Sequence, residues 1–197
     1  MTELYTKTLL GAELEPWLGD VARLRMTVFR DFPYLYDGTF DYERQYLQTY
    51  VESDSALCVL AFDGEQVVGA ATGLAMRDEE PAFRQPLIDA GVKVNDVFYC
   101  AESVLLPSHR GQGIYRTFFS EREAQAQRLG LNQSVFCAVD RPDNHPLKPA
   151  DYQPLDVVWK RYGYRPLPGV KARFPWLDVD QSVETEKTLS FYHKHLT

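Results

Sequence analysis

The sequence has little of what metal, redox and membrane proteins depend on. Its 197 residues include three cysteines and four histidines. Cys58, Cys100 and Cys137 each sit inside an apolar run, with no ligand spacing between them. Buried free thiols in a reducing cytoplasm are therefore expected, and neither a disulfide framework nor a zinc site is. His109 lies in a loop, His145 in a proline-rich segment, and His193 and His195 on one face of a terminal strand without a carboxylate or thiol beside them. No metal is expected from these. No run approaches the roughly 18 apolar residues of a membrane span, and Met1–Lys7 lacks the charged-then-apolar layout of a leader. Basic residues are outnumbered 21 to 28, for a net charge of −7. That balance removes the usual footing for nucleic acid and is compatible with a cationic partner. There is no Gly-x-Ser-x-Gly elbow to present a serine nucleophile.

What is present suits one α/β domain over residues 1–197, with an ordinary 45% of hydrophobic and 25% of charged residues. Residues 4–10 read as a short strand. Trp17, Val21, Leu24 and Val28 recur at helical spacing after Pro16. The turn-rich aromatic loop Phe32–Gly38 leads to a second helix, on which Tyr42, Tyr46 and Tyr50 form a stripe for core packing or for an acceptor pocket. Residues 56–62 and 66–74 form a hairpin about Asp63-Gly64-Glu65. Gly69 and Gly73 thin its second strand where another group comes close. Residues 77–95 read as a loop or short helix. A fifth strand is expected at 134–139, and the prolines at 142, 146, 149 and 154 leave a long irregular segment after it. A short helix at 155–162 stops at Gly163. Residues 170–177, with Pro175, suit an edge strand, and 189–196 close the sheet.

The stretch Tyr99–Gly130 carries the chemistry. An apolar strand through Val104, Leu105 and Leu106 stops at Pro107, and the turn Arg110-Gly111-Gln112-Gly113-Ile114-Tyr115-Arg116 opens directly into a helix. Unpaired N–H groups at a helix start, with the positive end of its dipole, make an anion site. Glycines let a phosphate approach the backbone, and Arg110 and Arg116 add charge beside it. A phosphate-bearing ligand held by backbone amides is the expectation. The three-glycine dinucleotide fingerprint and the Gly-Lys-Ser/Thr of a P-loop are both absent.

This turn resembles the pyrophosphate loop of the GNAT superfamily of acyl-CoA-dependent N-acyltransferases. Five of the motif's six positions fit in Arg110–Tyr115, and Tyr115 departs from a small sixth residue. The resemblance extends over most of the chain. It implies a mixed, mostly antiparallel sheet of about seven strands, splayed between the fourth and fifth and flanked by about four helices. It also implies transfer of an acetyl or similar acyl group from acetyl-CoA to an amine, by direct attack in a ternary complex.

On this resemblance the amides of Arg110, Gly111, Gln112, Gly113, Ile114 and Tyr115 hold the pyrophosphate, with Arg116 adding charge beside it. Val104, Leu105 and Leu106 border the pantetheine arm, the main chains of Leu105 and Leu106 pairing with its amides. Tyr115 then turns its side chain toward the first helix or solvent. Glu102 takes the acceptor's proton. The usual proton-donating tyrosine stands four residues before a Gly-aromatic pair, but four before Gly163-Tyr164 is Trp159. Tyr162, one turn along the same helix face, is the first replacement and Tyr152 the second. The expected partner is a small-molecule amine, with a homodimer left open. Two other readings stand beside this one: a module that binds acyl-CoA without turning it over, and a binder of some other phosphate or nucleotide.

Overall fold

A computed structural model describes residues 3–197. Met1 and Thr2, which open the stretch read above for a leader, lie outside the described residues. The chain runs β1 (Leu4–Leu10), a 3-10 turn (Gly11–Trp17), α1 (Leu18–Phe29), α2 (Phe40–Glu52), β2 (Leu57–Asp63) and β3 (Gln66–Ala75). It continues through α3 (Pro81–Asp89), β4 (Val97–Leu105), α4 (Ile114–Arg128), β5 (Gln133–Val139), α5 (Asp156–Arg161), β6 (Arg165–Trp176) and β7 (Thr185–His195).

All seven strands join one sheet in the order β1-β2-β3-β4-β5-β7-β6. Only β4 and β5 run parallel; every other pair is antiparallel. The sheet is the mixed, mostly antiparallel one expected. Among the described residues there are five α-helices, the added one being α3 in the segment read as loop or short helix. Pro81 opens it at the position where a missing N–H costs nothing. The last two strands are longer than the sequence suggested, and β7 lies between β5 and β6 instead of closing the sheet. β6 begins at Arg165 and includes Pro166 and Pro168, which an edge strand tolerates because one side needs no N–H donor.

The two faces carry separate cores. Leu18, Val21, Leu24, Leu47, Tyr50 and Leu87 cover one face from α1, α2 and α3. Ile114, Phe118, Phe119 and Ala126 of α4 cover the other. Gly73 is a packing necessity in the sheet between them: a Cβ there would come within 2.5 Å of Phe98 Cε1 and 2.8 Å of the Tyr99 carbonyl oxygen.

One carboxyl sits awkwardly in this frame. Glu79, just after β3, is buried and accepts the N–H of Glu80 at 2.9 Å. Burial is the main reason that its pKa is pushed up to about 7, with the Glu80 N–H pulling the other way. An unfolded glutamate titrates near 4.3. Between these values the folded chain binds the extra proton, so this group's contribution to stability falls as pH rises toward 7. Glu79→Gln is expected to unfold at a higher temperature than wild type at pH 8, with the difference vanishing at pH 4, as scanning calorimetry would record.

Candidate active site

The site is created where β4 and β5 separate. Their pairing covers three positions, Val97 with Gln133, Phe98 with Ser134 and Tyr99 with Val135. Past these the strands diverge, and β4 carries one extra residue against β3, between the Thr72–Glu102 and Leu74–Tyr99 pairs. Such a bulge turns the following side chains to the opposite face. Val97 and Tyr99 point into the α1–α2 core, and strict alternation would send Glu102 and Val104 the other way. With the bulge, Val104 joins the α1–α2 core and Glu102 reaches residues of α1 and α2. A cleft of about 1440 Å³ passes between the strands, larger than the roughly 300–1,000 Å³ of a pocket for one small ligand. It is lined from one face by Val28, Phe29 and Pro33 and from the other by Arg110, Tyr115 and Trp159.

At the α4 end of the cleft lies the glycine turn. Gly111 and Gly113 have φ of +77° and +86°, and Gly113 is the N-cap of α4. Left-handed backbone of this kind favours glycine, and a Cβ at either would meet open space, so the conformation requires glycine and no protein contact does. Arg116 and Thr117 donate their N–H groups to the Gly113 carbonyl at 3.0 and 3.3 Å. Among the described residues the N–H groups of Gly111, Gln112, Gly113, Ile114 and Tyr115 meet no protein acceptor. The Ile114 side chain is buried and anchors the turn. Arg110 and Arg116 are exposed and, among the described residues, form no ion pair. Five free amide donors beside two guanidinium groups without a carboxylate partner suit a polyanion.

The edge of β4 is less uniform than expected. Leu106 spends its N–H on the Val68 carbonyl (3.0 Å) and its own carbonyl on the His109 N–H (2.9 Å). Both main-chain groups of Leu106 are therefore committed within the protein, against the pairing expected of them. By alternation Val104 also faces β3, while Leu105 and Ser103 turn their main-chain groups toward the cleft. The Leu105 carbonyl accepts Arg110 Nε at 3.3 Å.

On the opposite face a buried charge cluster forms the wall. Arg25 of α1 meets Glu102 Oε1 at 2.7 Å through Nη1 and bonds Glu43 Oε2 through Nε. Tyr46 donates to Glu102 Oε2 at 3.3 Å and shares a 2.9 Å hydrogen bond with Tyr50. Burial works against the Arg25 charge, but the two carboxylates and Tyr46 hold it well above its ordinary range. One cation between two carboxylates leaves the wall negative. The tyrosine stripe of α2 divides in function: Tyr50 packs in the core, Tyr46 touches Glu102 and Tyr42 is exposed. Above the cleft, Arg141 fixes the aromatic loop by donating to the carbonyls of Pro33 (2.7 Å) and Tyr34 (2.6 Å) and to both oxygens of Asp178. Burial would raise the Asp178 carboxyl, yet Arg141 and Lys187 hold it below its ordinary value.

The two positions that depart from the expected motif meet each other. Trp159 Nε1 donates to the Tyr115 hydroxyl at 2.9 Å. Tyr115 therefore crosses toward α5, not toward the first helix or solvent, because Phe119 and Tyr162 offer it an aromatic bed at 5.2 and 6.2 Å between ring centres. Tyr162 lines the same cleft with its ring on Phe119. Tyr152 packs edge-on to Phe32 in the segment after β5. Arg25, Arg122 and Arg141 carry much of this geometry and were missed in the sequence. Arg122 is 1% exposed and donates to the carbonyls of Phe118, Thr72 and Glu102 and to Ser103 Oγ. Helical spacing on α4 hinted at its burial, but nothing signalled its partners.

All three cysteines are free and buried, and burial pushes the Cys137 thiol up to about 12. Among the described residues no group of three or more His, Cys, Asp or Glu is arranged to hold a metal, and no helix is long and apolar enough to cross a membrane.

The model of the acetyltransferase (GNAT) family matches residues 21–149, from α1 into the segment after β5. The chain is similar to an N-acetyltransferase of Staphylococcus aureus (13% identity, all of both chains, TM-score 0.60). It is similar also to an acetyltransferase of Thermus thermophilus (16%, all of both chains, TM-score 0.60). A Salmonella typhimurium protein assigned as an acetyltransferase and solved with its cofactor acetyl-CoA aligns over 98% of this chain and 94% of its own, with 13% identity and a TM-score of 0.59. At these identities the likeness is one of fold. No curated protein matches the sequence.

Arg25 tests the charge cluster. Removing one partner of a buried ion pair costs about 3–5 kcal/mol because it strands the other charge. Arg25→Met is expected to lose stability of that order in urea unfolding, and Glu43→Gln in the same chain should return part of it.

Proposed function

The chain belongs to the GNAT acetyltransferase family, and on that premise we propose that it moves an acetyl or similar acyl group from acyl-CoA to an amine, by direct attack in a ternary complex. The observation that carries this reading is the cleft through the sheet, which has free amide donors at one end and a negative wall at the other. Donor and acceptor would enter from opposite faces and meet in the gap between β4 and β5. Holding both there turns a bimolecular step into an effectively unimolecular one.

In this mechanism the amides of Gly111–Tyr115 bind the pyrophosphate, with Arg110 and Arg116 supplying charge. Leu105 and Ser103 offer main-chain groups to the pantetheine arm, a role that Leu106 and Val104 are poorly placed to share. The negative wall of Glu43, Arg25 and Glu102 favours an acceptor that arrives as a cation. Glu102 would take the ammonium proton, directly or through water, before the nitrogen attacks. A small amine would enter beneath the aromatic loop that Arg141 holds. The described residues would act as one domain, since β6 and β7, beyond the family match, belong to the same sheet.

One observation favours a second reading. Trp159 stands where a proton-donating phenol is expected, and it is bonded to Tyr115 in the wall of the cleft. A domain that binds acyl-CoA without turning it over would tolerate both. Thiol release with acetyl-CoA and a panel of amines separates the readings: transfer supports the first, and binding without release supports the second. An absence of CoA-dependent thermal stabilisation would set both aside in favour of another phosphate ligand.

Gly113→Val should leave the fold intact and abolish calorimetric acetyl-CoA binding, because a branched side chain resists the left-handed conformation that aims the amides. Glu102→Gln should lower turnover by about a hundredfold or more, most at mildly acidic pH, with CoA affinity unchanged. A wild-type rate across pH would remove Glu102 from the chemistry.

A further inference from the structure

The bond between Tyr115 and Trp159 has a direction. An indole N–H can only donate, so the Tyr115 oxygen accepts at 2.9 Å and its own proton is not used in that bond. Among the described residues no protein acceptor takes that proton. The ring is part-buried in the cleft wall, wedged between Phe119 and Tyr162.

The other phenols on this side of the sheet are differently placed. Tyr164 bonds Ser134 at 2.7 Å and donates to Glu123 at 3.1 Å. Tyr192 donates to Asp156 at 2.6 Å. Tyr162 lies on Phe119, and no group among the described residues fixes the direction of its hydroxyl. Arg122 adds a second feature: its buried guanidinium bonds carbonyls and a serine hydroxyl but, among the described residues, no carboxylate. An unneutralised positive charge thus lies beneath the cleft, where a leaving anion would form.

We propose that Tyr115, at the start of α4, is the catalytic residue that gives a proton to the departing sulfur, and that Trp159 is the positioning residue that holds it. The proposal rests on the acyl-transfer reading above. The amine nitrogen bonds to the acyl carbon, the carbon–sulfur bond breaks with its electron pair on sulfur, and the phenolic proton of Tyr115 passes to that sulfur. The resulting phenolate is held by the Trp159 N–H and by Arg122 until solvent reprotonates it.

Burial raises the Tyr115 phenol above its ordinary value, while the Trp159 N–H and the Arg122 charge oppose the shift. The titratable or charged groups facing it are Arg122 of α4, Cys100 of β4, Tyr162 just after α5 and Tyr34 of the aromatic loop. A proton donor loses activity as pH rises through its pKa. Removing the indole N–H takes away stabilisation of the phenolate and raises the phenol further, so the alkaline limb should move to higher pH.

The test uses the full chain with acetyl-CoA and an amine that wild type acylates, measuring kcat against pH and acetyl-CoA affinity by calorimetry. Tyr115→Phe should lower kcat by about a hundredfold or more and abolish the alkaline limb, with affinity kept within about tenfold. Trp159→Phe should keep the limb but shift it to higher pH, which a purely structural role would not do. A Tyr115→Phe variant with wild-type rate and profile overturns the proposal, as does loss of the limb in Tyr162→Phe alone. A Tyr115→Gly variant that gains affinity several hundredfold overturns it too, by marking the ring as an obstruction. In these three outcomes wild type still transfers and the acyl-transfer reading survives; a wild type that acylates no amine overturns both.

Discussion

β4 and β5 share three pairs of residues and then part, and most of the functional geometry descends from that divergence. A parallel pair that continued to Leu105 would seal the sheet and satisfy the edge of β4 internally. The divergence instead leaves the main-chain groups of Leu105 and Ser103 facing a gap, and the gap is wide enough to connect the two faces. The extra residue on β4 does the complementary work. It turns Glu102 into the α1–α2 face and leaves Ser103 on the α4 face, bonded to Arg122. One irregular strand thereby presents different chemistry to each entrance.

The cleft is electrically polarised by two buried arginines on opposite faces of β4. Arg25 meets two carboxylates, so its side of the sheet is negative overall. Arg122 meets carbonyl and hydroxyl oxygens, so its side retains a positive charge, reinforced by the exposed Arg110 and Arg116. A phosphate-bearing donor and a cationic acceptor are sorted to opposite mouths by this arrangement despite a net charge of −7. Neutral hydrogen bonds could fix the same backbone positions. Guanidinium groups do so while setting the field, because each presents several donors around a charge that is not lost at any working pH.

Tyr115 and Trp159 show how two local departures can be one feature. A large residue at the sixth position of the turn and an indole on α5 are each odd alone. Together they form a donor–acceptor pair in the cleft wall, set among Phe119, Phe136 and Tyr162. Swapping only one of the two would leave either a phenol without orientation or a part-buried indole N–H without an acceptor, which carries its own cost.

The sequence by itself determined most of the elements and the turn. Periodicity places α1 and α2, Asp63-Gly64 places the hairpin, and Gly111 and Gly113 open α4, because turn geometry and amphipathic spacing are local properties of the chain. It also marked Glu102 as a strand carboxylate, though not the face it would occupy. Tertiary structure decided the rest. A bulge is a mismatch between two strands, invisible in either one, and it sets where Glu102 points. The acceptors of Arg25, Arg122 and Arg141 lie 18 to 108 residues away along the chain in the bonds that define the site. The same distance separates cause and effect for Tyr115: its direction is set by Trp159, 44 residues on. Only folding brings the two within reach of one hydrogen bond.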